Sequence, residues 1–373
     1  MTKNRPATIN TLPPEVFACI FSLSMPDCMQ NGSLKRYSCG FVEVCRYWRQ
    51  IATGAPGLWA HIDVGTKIPL DLLRLQLERA KNEPINAHLM EFDPDHQLYN
   101  IVVKCELSEA MMLLKAHIHR IRSLTIDTMT RSPNNALSVI NHWLDYGNPT
   151  LAKTLDMDTM DAARPSTDGY GFLARISQSE NSKKLLSSIS TLRLEGSTFP
   201  WDSGIYRGLT SLILFTYREV QVSVPQIHSV LAASSQTLAV LKLSFLTIIG
   251  SLEGRNKHAA IVLDKLNTLN LQCIGGQEST ALLLPLIALP NPPRNLDVAL
   301  RAHKEAQDVY NKFLAQSPLS TFYYEETRFG QQSWLASQLF RSLPCVNNLL
   351  VLRDFQFLDE PDADEDLLEQ NCY

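Results

Sequence analysis

A six-residue pattern, LxxLxL, recurs along most of this chain and constrains its fold more than any other feature. Its nine occurrences, some with another apolar residue in place of a leucine, are named by their fourth position: Leu124, Leu155, Leu192, Leu212, Leu241, Leu269, Leu296, Phe322 and Leu349. The last five intervals are 29, 28, 27, 26 and 27 residues, after less regular intervals of 31, 37 and 20. Recurrence at such a period indicates stacked supersecondary units.

Runs with helical periodicity lie between the occurrences, at residues 136–146, 226–233, 280–289, 305–316 and 333–343. Each unit would then contain a short strand and a returning helix, and only stacking would bury the apolar side of either. This section resembles leucine-rich repeat domains, although the asparagine or cysteine expected after the second leucine is mostly missing. The resemblance implies an α/β solenoid over residues 121–358. A conventional α/β domain with an open parallel sheet is the alternative.

The N-terminal stretch, residues 12–59, has a different pattern. Its first apolar residues recur at spacings of three to five and predict a helix that starts at Pro13 or Pro14. A break at residues 26–32 precedes a second periodic run, residues 34–51, and Pro56 and Gly57 end it. Three short helices enclose little core, so we expect apolar positions such as Trp48 and Trp59 to be covered by other protein.

The segments LPPEVFACIFSL, VCRYWRQIA and GLW in this stretch resemble the F-box, which docks substrate receptors onto the Skp adaptor of cullin-type ubiquitin ligases. The segment at residues 26–38 departs from the motif. The resemblance implies that nine residues face the adaptor or set the angle of that face: Leu12, Pro13, Glu15, Ile20, Phe21, Val44, Cys45, Trp48 and Trp59. Alternatively, they form the interior of a helical cap on the following domain. For Trp59 the two interpretations are equally supported.

These patterns divide the chain into five parts. We expect residues 1–11 to form a mobile lead-in and residues 12–59 to form the unit that resembles the F-box. We expect residues 60–120 to form a linking region, with strand, helix and strand over residues 60–92, and a first irregular repeat. Residues 121–358 would form the solenoid. Residues 359–373 form an acidic tail, which begins with six acidic residues in eight.

Composition restricts the classes of partner. With 373 residues, 45% hydrophobic and 19% charged, the chain has the balance of an ordinary globular protein. Its net charge of −4, without a Lys/Arg cluster, argues against nucleic-acid and membrane partners. The eight cysteines contain no CxxC pair, and neither a signal peptide nor an 18-residue apolar run is present, so we expect a cytoplasmic and/or nuclear location.

Sequence signatures of catalysis are absent: we find no GxSxG, GxGxxG, P-loop, HExxH or kinase motif. His117 and His119 are two apart in a predicted helix, where they would face different sides, and are better explained as surface histidines. Asp156, Asp158 and Asp161 lack the glycine and terminal glutamate of an EF-hand. We therefore expect no catalytic residue, metal or cofactor.

Polar residues between the repeat leucines would project from the inner face of a curved sheet. They are Asp127, Asp156, Asp158, Arg193, Glu195, Phe215, Lys242, Asn270, Gln272, Asp297, Tyr323 and Glu325. Charge at one end and an aromatic residue near the other suit protein recognition. The target-binding candidates are Asp127, Asp156, Asp158, Arg193, Glu195, Tyr323 and Glu325, and plain solvent exposure is the alternative.

The two resemblances together imply a substrate-recognition subunit of a Skp–cullin–F-box ubiquitin ligase. Such a subunit binds a Skp-family adaptor, and through it a cullin, and holds a target protein without catalysing the transfer. A protein-interaction scaffold that acts without ubiquitin transfer is the second interpretation. A hydrolase with an unrecognised site is the third.

Overall fold

The computed structural model is an α/β fold that describes residues 9, 12–24, 41–65, 68–92, 107–129, 134–159, 173, 176–250, 258–271, 279–289, 296–301, 307–315, 319–326 and 346–353. It begins with helices α1 (Pro14–Ser24), α2 (Phe41–Val44) and α3 (Arg46–Gly54), and a 3₁₀ turn follows at Pro56–Trp59. We call these elements the N-terminal helical unit.

Aromatic rings form the core of this unit. Phe17 and Phe21, one turn apart in α1, are buried and lie 4.3 to 5.8 Å, between ring centroids, from Phe41, Tyr47 or Trp48. The periodic run that ends at residue 51 is interrupted at Cys45, whose sulfur accepts a hydrogen bond from the Trp48 backbone N–H at 3.5 Å and so caps α3.

Eleven of the described strands form one sheet in which every pair is parallel. They are β1 (His61–Gly65), β2 (Ile85–Phe92), β3 (Ile121–Met129), β4 (Thr154–Asp158), β5 (Thr191–Glu195), β6 (Ser211–Ser223), β7 (Val240–Ile249), β9 (Thr268–Leu271), β11 (Leu296–Arg301), β12 (Leu319–Glu326) and β13 (Val346–Arg353). Strands β8 (Ile261–Val262) and β10 (Ile287–Ala288) pair separately. The order of strands in the large sheet follows their order in the chain.

Seven helices follow strands of this sheet: α4 (Leu70–Arg79), α5 (Leu107–Ala116), α6 (Asn134–Tyr146), α7 (Glu180–Ser188), α8 (Val224–Ala233), α9 (Ser279–Leu283) and α10 (Gln307–Leu314). Their apolar residues, among them Leu73, Trp143 and Leu231, join one core with the buried side of the sheet. The helix expected at residues 280–289 ends early, at Leu283, because Pro285 lacks a backbone N–H. None of the described helices has the length and apolar character to span a bilayer.

The repeat leucines form a buried row across the sheet. Leu124, Leu155, Leu192, Leu212, Leu241 and Leu269 occupy matching positions on successive strands. The seventh position was predicted wrongly: Val298, rather than Leu296, is in register with Leu269 and Phe322. The pairing of β11 with β9 is regular, so the register itself, which sequence spacing does not determine, places Val298 in the row. A separate irregularity between Leu296 and Asp297 affects the pairing of β11 with β12.

Candidate functional sites: a helical apolar face and a polar sheet face

Helix α1 carries apolar residues on two sides. Phe17 and Phe21 face the core of the helical unit, whereas Val16, Ile20 and Leu23 are 41%, 39% and 87% exposed. Their spacing of four and three residues places them on one side of the helix. We call Val16, Ile20 and Leu23 the apolar stripe. A continuous exposed apolar surface of this kind is typical of a protein–protein interface.

The nine residues expected to face an adaptor differ in exposure. Pro13, Glu15, Ile20 and Val44 are exposed, Leu12, Cys45 and Trp48 are half-buried, and Phe21 and Trp59 are buried. Val16 and Leu23 belong to the apolar run that predicted the helix, although they are not among the nine. The signal for them is their spacing from Ile20, but the same apolar run includes the core residues, so spacing alone does not separate the two sides.

Trp59 lies where the helical unit meets the sheet. Its indole Nε1 donates a hydrogen bond to the Ala52 backbone oxygen at 2.8 Å, and the guanidinium carbon of Arg79 lies 4.3 Å from the ring centroid. Ala80, which follows α4, belongs to the same apolar core as Trp59. Direct contacts therefore connect the helical unit to the first strand–helix unit of the sheet.

The sheet face opposite the described helices carries polar side chains. They form rows across the sheet, because residues alternate between the two faces of each strand and the parallel strands are in register. We call it the polar face. One row across β1 to β5 contains Asp63, His88, Thr125, Asp156 and Arg193. The next row contains Asp127, Asp158 and Glu195 on β3 to β5 and continues to Phe215 on β6.

His88 joins two carboxylates on neighbouring strands. Its Nδ1 lies 3.1 Å from Asp63 Oδ1, and its Nε2 lies 2.7 Å from Asp127 Oδ2. Burial by itself lowers the pKa of the imidazole, but the hydrogen bonds and negative charges of Asp127 and Asp63 outweigh that effect and raise the pKa to about 9. His88 is therefore an imidazolium at neutral pH.

Arg193, three strands beyond His88, forms a second bridge. Its guanidinium hydrogen-bonds to Glu195, with Nε 3.0 Å from Oε1, and its Nη1 lies 3.9 Å from Asp156 Oδ2. Burial raises the pKa of Asp156 to about 6, although the charge of Arg193 acts in the opposite direction. Two cations thus lie within a group of acidic side chains.

This arrangement suits charge pairing better than acid–base chemistry. Both ring nitrogens of His88 are engaged by carboxylates, so the imidazolium offers no free lone pair to a reacting group. Among the residues that the structure describes, no cluster of three His, Cys, Asp or Glu side chains is placed to hold a metal ion.

The predicted target-binding residues fall into two separate places. Asp127, Asp156, Asp158, Arg193 and Glu195 lie together on β3 to β5, as described above. Tyr323 and Glu325 lie on β12, five strands beyond β5 in the sheet, or roughly 24 Å at the usual strand spacing. Gln272 lies outside the described residues.

Asp63 and His88 were missed, although both strands that carry them were predicted. The signal was available in residues 85–92, where His88 occupies an alternate position between buried Ala87 and Leu89. Matching it to Asp63 and Asp127 requires the register of three strands, which the sequence does not supply.

No protein-family model matches the chain, and a search of curated proteins finds no match to it.

Proposed function

We propose that this chain is a substrate-recognition subunit of a Skp–cullin–F-box ubiquitin ligase. In this proposal the N-terminal helical unit is an F-box that binds a Skp-family adaptor, and through it a cullin. The sheet and its helices are a leucine-rich-repeat-like solenoid that holds a target protein. The chain itself supplies no catalytic residue.

The observation that carries the proposal is the division of apolar residues in α1. Phe17 and Phe21 already complete the small core, yet Ile20 is 39% exposed and Leu23 is 87% exposed in the same helix. An exposed apolar side on a unit that already has its own core is expected of a docking surface. It coincides with the residues that resemble the F-box.

The sheet supports the second half of the proposal. Strand order follows chain order, and the described helices pack on one side, as in a stack of repeated strand–helix units. A doubly wound sheet instead has helices on both faces and a reversal of strand order. In the part of the chain that the structure describes, the other face carries partly exposed side chains such as Asp127 and Arg193, which a partner could contact.

The proposed subunit acts by proximity. It raises the effective concentration of a target lysine near the ubiquitin-charged enzyme and needs no new chemistry of its own. The contacts of Trp59 with Ala52 and Arg79 would keep the adaptor-binding and target-binding parts in a fixed relation.

Affinity purification of the tagged full chain from cells tests this function. We expect a Skp-family adaptor and a cullin to copurify with the wild type and to be lost with Ile20→Asp. Met112→Asp, which places the same charge at a 65% exposed apolar position on α5, is the matched control and should retain both proteins. Adaptor without cullin would favour the scaffold interpretation, and absence of both would contradict the proposal.

A further inference from the structure

We propose that the polar face binds an extended segment of the target that has two basic side chains at alternate positions and a bulky aromatic or apolar side chain two positions beyond them. The inference rests on the proposed function, because it assumes that this face holds the target. It assigns the basic positions to β3–β5 and the aromatic position to β6–β7.

The aromatic end consists of Phe215 and Phe245. Their ring centroids are 5.2 Å apart in an edge-to-face arrangement, and Phe245 remains 39% exposed. Two residues, Ser244 and Phe245, lie between buried Leu243 and Leu246, where regular alternation would place one. The register of β6 and β7 shifts at the same place, where four residues of β6, 216–219, lie opposite Phe245 alone.

Phe245 has a φ of +56°, a backbone conformation that bulky residues rarely adopt. Its carbonyl oxygen accepts a hydrogen bond from Thr216 Oγ1 at 2.8 Å, which helps to hold this geometry. The irregularity turns an aromatic ring outward next to Phe215 and leaves it in contact with solvent. An exposed aromatic pair of this kind is a suitable anchor for a bulky side chain of a partner.

The charged end adjoins Phe215. Asp127, Asp158 and Glu195 follow one another on β3, β4 and β5, and Phe215 is the next residue of that row. Among the described side chains of β1–β5 on this face, five carboxyl groups, including Asp63 and Asp156, lie beside two cations, His88 and Arg193. Carboxyl groups therefore outnumber cations in this described group. Lys242 lies outside it, on β7 at the aromatic end.

The spacing of the strands determines which positions of the ligand must carry the basic and the aromatic side chains. Strands of a sheet are roughly 4.8 Å apart, so Asp158 lies about 10 Å and Asp127 about 14 Å from the Phe215 position across the strands. An extended peptide presents side chains to one face about every 7 Å. Residues two and four positions from an aromatic anchor therefore reach β4–β5 and β3, within the range of long basic side chains.

The test uses the purified full chain and labelled peptides that contain Arg-x-Arg-x-Trp or the reverse order, with alanine at x. We expect one of the two orders to bind, and binding to weaken at higher salt because the charged surface is partly open to solvent. Phe245→Ala should weaken binding about tenfold or more, and Asp158→Asn about threefold or more, since an aromatic anchor and a charge pair are removed.

The matched controls are Tyr146→Ala, which removes a 65% exposed aromatic ring on α6, and Asp71→Asn, which neutralises a surface carboxylate on α4. Both should bind the peptide as the wild type does. No binding of either order, equal binding of a peptide with Glu in place of Arg, or unchanged binding by Phe245→Ala and Asp158→Asn would each overturn the proposal. Adaptor binding is measured on the same samples. If the wild type does not bind the adaptor, the ligase function is contradicted separately. If the wild type binds the adaptor but no peptide, only this inference is contradicted.

Discussion

The imidazole Nε2 of His88 lies 2.7 Å from Oδ2 of Asp127, although 39 positions separate the two residues in the chain. Parallel pairing of β2 with β3 places His88 opposite Thr125, and the side chain of His88 reaches diagonally to Asp127 two residues further on. Asp63 on β1 occupies the other ring nitrogen. One histidine therefore connects three strands at the start of the sheet.

The first prediction concerns the pH dependence of stability. The pKa of His88 in the folded chain, about 9, exceeds its ordinary value of 6.5, so the protonated form favours folding. The stabilisation by the protonated imidazole is complete below pH 6.5 and is lost as pH rises through 9. We expect this contribution to the free energy of unfolding to reach about 3 kcal/mol. Urea denaturation of the wild type and His88→Gln at several pH values measures it.

The histidine variant should lose less stability than the wild type between pH 6.5 and 9.5. His119→Gln, at an exposed position, is the control and should follow the wild type. Parallel curves for wild type and His88→Gln would show that the bridge adds no pH-dependent stability.

The second prediction concerns Asp156, for which the sign is opposite. Burial raises its pKa from 3.8 to about 6, so the neutral carboxyl favours folding. That stability is present below pH 3.8 and is lost as pH rises through 6. Asp156→Asn mimics the neutral form and should increase the free energy of unfolding at pH 7 by about 1 kcal/mol or more.

The gain from Asp156→Asn should disappear below pH 4, where the wild-type carboxyl is protonated. Glu195→Gln is the informative comparison, because it weakens the hydrogen-bonded partner of Arg193 and should destabilise the chain by about 1 kcal/mol or more at pH 7. A stability loss from Asp156→Asn at neutral pH would mean that its pairing with Arg193 outweighs burial.

The third prediction concerns the junction of the two parts. Trp59→Ala removes a buried ring and its hydrogen bond, and should reduce stability by about 3 to 5 kcal/mol. Arg79→Ala removes the cation above the ring and should cost about 1 kcal/mol. Hydrogen exchange should show faster exchange of α3 amides in both variants. Glu78→Ala, an exposed neighbour on α4, should leave that exchange unchanged, and equal protection in all four proteins would contradict the role of Trp59.

Some features could be predicted because they depend on local periodicity. Residues 60–92 were expected to form strand, helix and strand, and the structure has β1, α4 and β2 there. The buried row from Leu124 to Leu269 follows from alternation, since a leucine at every second position of a strand faces one side.

Other features depend on register or on which side of a helix meets the core. Ile20 and Phe21 are adjacent and both apolar, yet only Phe21 is buried, because its ring stacks on Phe41 from another helix. The positive φ of Phe245 arises where the pairing of β6 and β7 is irregular, and the match of Val298, rather than Leu296, to Leu269 is set by the register of β9 and β11. Hydrophobic periodicity contains no information about either one.

We propose that the apolar stripe of α1 binds a Skp-family adaptor, and isothermal titration of the purified adaptor into the purified full chain measures this binding. We expect saturable binding by the wild type and by Met112→Asp. Ile20→Asp should bind at least about tenfold more weakly, since a charge replaces a central apolar contact. No binding by the wild type, or equal affinity of the wild type and Ile20→Asp, would contradict adaptor binding through the apolar stripe.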